Sequence, residues 1–114
     1  MEIIKHTTEF QTEEGTAVSL GKFDGLHQGH RLLIDRILDK KQEGLASLIF
    51  TFDFGERPAL TLPEERRELL RRRQLDYLVE CPFVPALAHM EPEDFVTKIL
   101  KERLHAKYLA VGTD

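Results

Sequence analysis

The residues of this chain best suited to chemistry lie in one ten-residue segment, 21–30, which reads GKFDGLHQGH. His27 and His30 are three residues apart, so on a helix both imidazoles face the same side of the first turn. That turn also carries free backbone N–H groups and the positive end of the helix dipole. The segment therefore predicts a site for a phosphate or another anion.

Three glycines give the backbone of this segment room around such an anion. Gly21 and Gly25 lack a Cβ, so the chain can turn sharply and approach a phosphate closely. Gly29 keeps the space beside the backbone open. Phe23 is expected to pack inward and anchor the turn, and Asp24 either caps the helix or holds one imidazole in a fixed tautomer.

Two other interpretations of His27 and His30 stay open on the residues alone. The pair could cap or pack a helix, as isolated histidines commonly do. Histidines at this spacing can also ligate zinc, although no further Cys, Asp or His stands at helpful spacing nearby. Zinc binding is therefore the least favoured alternative, and we assign no residue to a metal.

Segment 21–30, called the phosphate turn, is flanked by short apolar segments whose length and boundaries are typical of buried strands. They are bounded by Gly, Pro or charged residues, and they cover 16–20, 45–52, 76–79 and 108–111. The first is expected to be a central strand. Between the first two segments, apolar residues recur at helical spacing, which predicts a helix over 28–43 that Gly44 ends and that packs on the sheet through Leu33, Ile34, Ile37 and Leu38.

Two further helices are predicted downstream. One begins at Pro63, with Thr61 as N-cap and Glu64 completing a capping box. The next begins near Pro92 and carries Phe95 on its apolar face. Strands and helices thus alternate, which predicts an α/β fold: a doubly wound, Rossmann-like parallel sheet with flanking helices. Because ligands bind at the carboxyl ends of such strands, the turns after the first, second and last strands are expected to meet in one crevice.

The composition predicts one globular domain and excludes several classes of protein. The chain has 114 residues, 41% hydrophobic and 32% charged, which is enough for one core, so residues 1–114 are expected to belong to a single domain. A net charge of −4 argues against a nucleic-acid surface. No apolar run reaches membrane-spanning length, and no leader pattern opens the chain. Cys81 has no internal disulfide partner and is predicted to be a buried, unreactive thiol, so the cytoplasm is the expected location.

A run of arginines follows the start of the second predicted helix. Since Glu64, Glu65 and Glu68 stand on the same helix, the run is predicted to form a solvated and partly paired face. Its members are Arg66, Arg67, Arg71, Arg72 and Arg73.

Segment 21–30 resembles the HxGH motif of the nucleotidyltransferase superfamily, and its longer form GxFDGxHxGH resembles bacterial FAD synthetases. The motif stands at the end of a predicted strand and opens a predicted helix, a context that makes it specific. Similar stretches continue in the same order over nearly the whole chain, at 60–65, 75–78, 82–83, 92–96, 99–100 and 111–114. The resemblance implies that residues 1–114 are the N-terminal part of the adenylyltransferase domain of a riboflavin kinase/FAD synthetase.

The reaction implied by this resemblance joins the α-phosphate of ATP to the phosphate of FMN, giving FAD and pyrophosphate, with Mg²⁺ assisting. His27 and His30 would contact the ATP phosphates and stabilise the transition state. The nucleotide pocket would be shaped by Gly21, Lys22, Phe23, Asp24, Gly25, Gly29, Thr51, Phe52, Gly112 and Asp114. The implied partners are the small molecules ATP and FMN, with no nucleic acid and no membrane.

The chain departs from the family pattern in two places. After Thr51 and Phe52 the family has an acidic residue and Pro-His-Pro, whereas here Asp53 is followed by FGERP without the histidine. After Asp114 the family continues to a Ser/Thr-rich segment with a triphosphate-binding arginine, and commonly to a riboflavin kinase domain. We therefore expect either a fragment of a longer protein or a degenerate copy, with weak or no activity of its own. Transfer to another phosphorylated small molecule and non-catalytic nucleotide binding are the alternative functions.

Overall fold

The computed structural model describes residues 1–5, 7, 9–20, 28–53 and 64–111, without the side chains of 28–30, 53, 65 and 66. Five strands form one sheet: β1 Glu2–Lys5, β2 Thr16–Leu20, β3 Ala46–Asp53, β4 Tyr77–Pro82 and β5 Ala106–Val111. Their order is β1-β4-β3-β2-β5, and every neighbouring pair is parallel. The predicted α/β fold is confirmed, and β2 is an interior strand between β3 and β5.

The helices alternate with these strands as predicted. Helix α1, Gln28–Asp39, continues as the 3₁₀ turn Lys40–Glu43, and α2 is Glu64–Arg72. Gly44, with φ 82°, ends the helix formed by α1 and the 3₁₀ turn, and its N–H donates to the carbonyls of Lys40 and Lys41. Only glycine adopts this left-handed conformation without strain, so the predicted helix stop is confirmed. The proposed cap residues of α2, Thr61 and Pro63, lie outside the described residues.

The third predicted helix is confirmed at its start but differs in its geometry. After the short α3, Pro85–Ala88, helix α4 covers Pro92–Asp94 and passes directly into a π-helix, Phe95–Lys101. The N–H of Leu104 accordingly bonds to the carbonyl of Ile99, five residues back. Ile99 and Leu100 of the π-helix and Leu104 just after it are apolar and buried.

Both faces of the sheet are buried. On the first, called the α1/α2 face, the helices pack on the strands through a cluster formed by Ala17, Leu33, Ile34, Ile37, Ile49, Leu70, Leu75, Leu78 and Ala110. Leu38 is half-buried against the same cluster, so the predicted packing of α1 is confirmed. The opposite face is covered by the segment around Phe10 and by the π-helix, around Val18, Leu48, Phe50, Val79 and Cys81. Parallel sheets are typically covered on both faces in this way.

Strand β1 was not predicted. It offers only Ile3 and Ile4 between charged residues, and both are half-exposed because β1 pairs with β4 alone among the described strands. Within the described ranges, no helix has the length and apolar character needed to cross a membrane.

Candidate functional site

The carboxyl ends of the inner strands meet at one edge of the sheet. Leu20, the last residue of β2, pairs with Phe50 of β3 on one side and with Val111 of β5 on the other. Strand β2 therefore ends at the same edge of the sheet as its two neighbouring strands. Helix α1 ends close to the start of β3, so its N-terminus lies at the same carboxyl edge, where its dipole is positive.

Most of the predicted site residues lie outside the described side chains. These are Gly21, Lys22, Phe23, Asp24, Gly25, His27, Gly112 and Asp114, and for Gly29 and His30 only the helical backbone is described. Strand β2 ends at Leu20 and α1 begins at Gln28, so the segment connects a strand to a helix as predicted. The roles of His27 and His30 stay predictions.

Two predicted site residues, Thr51 and Phe52, are described at the end of β3. Because side chains alternate along a strand, Thr51 lies on the α1/α2 face with Ile49, and Phe52 lies on the opposite face with Phe50. Both are half-buried. The two sides of this strand end therefore offer different chemistry, a hydroxyl on one and an aromatic ring on the other.

Phe52 belongs to an aromatic cluster that extends to the carboxyl edge. Its ring lies 5.4 Å from that of Phe50, 5.8 Å from that of Phe95 and 5.1 Å from that of Phe83. The Phe83 contact is edge-to-face, and the Phe83 side chain is 40% exposed. The cluster thus presents an aromatic surface at the edge where a ligand is expected, and such rings favour stacked or edge-to-face partners.

A buried ion pair at the same edge was not predicted. Arg67 of α2 donates from Nη2 to Oε1 of Glu80 in β4 at 2.6 Å, and the side chains are 14% and 4% exposed. Glu80 is the cross-strand neighbour of Thr51. The prediction of a solvated face is wrong for Arg67, because a carboxylate buried in β4 requires a charged or hydrogen-bonding partner. The prediction is correct for the other arginines whose side chains are described, since they are more exposed and pair with acidic residues. These are Arg71 with Glu64 and Glu68, Arg72 with Glu68, and Arg73 with Asp35.

A comparison with known protein families identifies the chain. The family described as FAD synthetase matches residues 9–114, which include the whole of the site described above. The chain belongs to this family.

Individual relatives agree with this FAD synthetase match. The bifunctional riboflavin kinase/FMN adenylyltransferase of Escherichia coli (strain K12) is 28% identical over 119 aligned residues, covering 96% of this chain and 38% of the relative. The FAD synthetase of Listeria monocytogenes is 29% identical over 125 residues, covering 97% of this chain and 50% of the relative. The chain thus spans half or less of the length of these two relatives.

The described part of this FAD synthetase family member offers neither a metal cage nor a reactive thiol. No group of three or more His, Cys, Asp or Glu is placed to hold a metal ion within the described ranges. Cys81 is fully buried on the opposite face, and burial raises its pKa to about 11. A thiol with so little thiolate at neutral pH is a poor nucleophile. The predicted burial of Cys81 is confirmed, and its low reactivity stays a prediction.

Proposed function

We propose that this protein is a cytoplasmic FMN adenylyltransferase, which transfers AMP from ATP to FMN and produces FAD and pyrophosphate. The observation that supports it is the FAD synthetase match over residues 9–114, which spans every proposed site residue. We propose the activity for the whole natural protein, with these 114 residues as the N-terminal part of its adenylyltransferase domain.

The chemistry of this transfer needs alignment more than it needs a base. A phosphate oxygen of FMN attacks the α-phosphorus of ATP, a new P–O–P bond forms, and the bond to the β-phosphate breaks as pyrophosphate leaves. The nucleophile is already an anion, so catalysis depends on positioning and on stabilising the charge around the α-phosphorus. Donors fixed in place before the reaction are the most effective means of doing so.

We assign this charge stabilisation to His27, His30 and the N-terminus of α1. The position of that N-terminus at the carboxyl edge, beside the ends of β3 and β5, supports the assignment. Free N–H groups and a positive dipole at a helix start favour phosphate binding. The surrounding nucleotide pocket is proposed to comprise Gly21, Lys22, Phe23, Asp24, Gly25, Gly29, Gly112 and Asp114.

The end of β3 is proposed to face the acceptor, FMN. Thr51 supplies a hydroxyl and Phe52 an aromatic ring, and the ring belongs to the cluster that reaches the half-exposed Phe83. A flavin is a large flat aromatic system, so an aromatic surface at this edge suits it.

Mg²⁺ is proposed to enter with ATP. It typically binds substrate phosphates with few protein ligands, and the absence of a carboxylate cage within the described ranges is compatible with that mode. The ion would supply positive charge to the triphosphate, and we assign no residue of this chain to it.

The histidine assignment is tested with His27→Ala and His30→Ala in the whole protein. Loss of one preorganised transition-state contact costs about 10²-fold or more in rate, so each variant should make FAD at least that much more slowly with an unchanged circular dichroism spectrum. His89→Ala is the matched control, because His89 is exposed at the end of α3. Wild-type rates in both site variants would refute the assignment.

A second experiment tests the extent of the catalytic unit. The 114-residue chain should bind ATP weakly and make little FAD beside the whole protein, because positioning of the triphosphate contributes several kcal/mol, about 7–11 in favourable cases, to such a reaction. Calorimetric titration with ATP and Mg²⁺ and an FAD formation assay compare the two. Equal rates would show that residues 1–114 suffice.

A further inference from the structure

The α1/α2 face of the sheet turns from apolar to polar at its carboxyl edge. In the core, this face carries Ala17, Ile49 and Leu78. Towards the edge, three neighbouring strands each carry a polar residue on the same face: Ser19 of β2, Thr51 of β3 and Glu80 of β4. Such a change within a buried sheet face needs an explanation, because buried polar groups cost free energy unless they are hydrogen-bonded.

Two buried polar atoms on this face have no hydrogen-bond partner among the described residues. They are Oγ of Ser19, a residue that is fully buried, and Nε of Arg67. Nη2 of Arg67 is occupied by Glu80, while Nη1 lies 3.8 Å from the exposed carboxylate of Glu64, too far for a hydrogen bond. The Arg67 guanidinium is therefore fixed by one strong contact and keeps donor capacity unused.

The carboxyl edge carries groups that can attract an anion. Helix α2 ends next to the start of β4, so its N-terminus, like that of α1, lies at the carboxyl edge. Two helix N-termini and a permanently charged guanidinium thus lie at this edge, together with the carboxylates of Glu64 and Glu80. The Glu80 carboxylate offsets one charge, but it also holds the planar guanidinium in a single orientation, which suits recognition of phosphate oxygens.

We propose that Arg67, positioned by Glu80, binds the phosphate group of the acceptor nucleotide. This inference rests on the proposed function, in which the α1 N-terminus beside β2 holds the ATP phosphates. Adjacent strands are about 4.8 Å apart, so a group over β3 and β4 lies one to two strand spacings from the end of β2. The acceptor phosphate oxygen must come within about 3–3.5 Å of the α-phosphorus, and a group at this spacing is near enough to hold that phosphate.

The decisive variant is the double substitution Arg67→Met with Glu80→Leu in the whole protein. Replacing Arg67 alone would leave a buried carboxylate unpaired, whereas replacing a buried ion pair by apolar side chains is commonly tolerated. Thermal unfolding should therefore remain close to that of wild type. The KM for FMN in FAD formation should rise about ten-fold or more, the usual effect of a lost charged hydrogen bond, while the KM for ATP should stay within about two-fold.

Lumiflavin, which has the flavin ring without the phosphate, separates the two parts of the acceptor. As a competitive inhibitor against FMN, it should show the same Ki in wild type and in the double variant. The matched control is Arg72→Met on the same helix, because this arginine is 73% exposed and lies 3.9 Å from Glu68. It should change none of these constants.

The outcomes distinguish this inference from the proposed function. An unchanged KM for FMN in a folded double variant, or an equal rise in the lumiflavin Ki, would overturn the assignment of Arg67 to the phosphate and leave the adenylyltransferase proposal standing. A wild-type protein that makes no FAD would contradict the proposed function, and this inference with it.

Discussion

Phe50 is the side chain whose replacement should most weaken the sheet beside the candidate site. It is fully buried in β3, the middle strand, and immediately precedes Thr51 and Phe52. Its ring is edge-to-face with three others, at centroid distances of 5.7 Å to Phe10, 5.4 Å to Phe52 and 5.6 Å to Phe95. The perturbation is Phe50→Leu, which keeps an apolar group and removes the ring.

The expected loss follows from these contacts. Each aromatic pair contributes about 0.5–1.5 kcal/mol beyond its buried area, so three pairs bound the loss between about 1.5 and 4.5 kcal/mol. Pair energies in one cluster are not additive, and leucine refills part of the space, so we expect about 2–3 kcal/mol. That is a large fraction of the about 5–15 kcal/mol that stabilises a typical domain.

The assay is urea unfolding followed by circular dichroism, in which Phe50→Leu should lower the midpoint without changing the m-value. Phe83→Leu is the matched control: the same substitution at a 40% exposed ring of the same cluster should cost less than about 1 kcal/mol. If the Phe50 variant lost no more stability than the Phe83 variant, the aromatic cluster would not be the support of this sheet edge.

Three smaller predictions follow from the backbone and from two shifted pKa values. Gly44→Ala should lower the free energy of unfolding by about 1–2 kcal/mol in the same urea assay, because a φ of 82° strains a residue that has a Cβ. The cost comes from the backbone alone, since a Cβ there would meet no atom within 4 Å. An unchanged midpoint would contradict this. With its pKa raised to about 11, Cys81 should react with a thiol reagent at pH 8 only after urea unfolds the protein, and rapid labelling of the folded chain would refute its burial. The hydrogen bond from the Tyr77 hydroxyl to Glu14 raises the pKa of Tyr77 from 10 to about 12. Since the pKa is higher in the folded state, the stabilisation that this hydrogen bond gives is complete below pH 10 and is lost as the pH rises towards 12. Absorbance titration of Glu14→Gln should show the midpoint of Tyr77 returning towards 10.

The sheet and α1 were predictable because their signals are local. Apolar runs such as 45–52 and the helical spacing of Leu33 and Ile37 are visible in short windows. Strand β1 was missed, since it has only two apolar residues and forms by pairing with β4, which is far away in sequence. The π-helix was missed because its period differs little from that of an α-helix over one or two turns.

At the candidate site, too, the features set by neighbouring residues were predictable and those set by distant residues were not. The phosphate turn at 21–30 is a contiguous motif, so sequence was enough to propose it. The Arg67–Glu80 pair depends on the rotation of α2 over β4, which no local pattern specifies. A usable signal existed nonetheless: Glu80 interrupts the apolar run of β4, and a carboxylate at a buried strand position implies a cationic partner.

Adenylyl transfer to FMN can be measured by following the α-phosphate of ATP. The whole natural protein is incubated with FMN, Mg²⁺ and ATP labelled at the α-phosphate, and the products are separated by chromatography. The label should appear in FAD, with one pyrophosphate released for each FAD formed. Label that stays in ATP, appears as free AMP or moves to an acceptor other than FMN would contradict it.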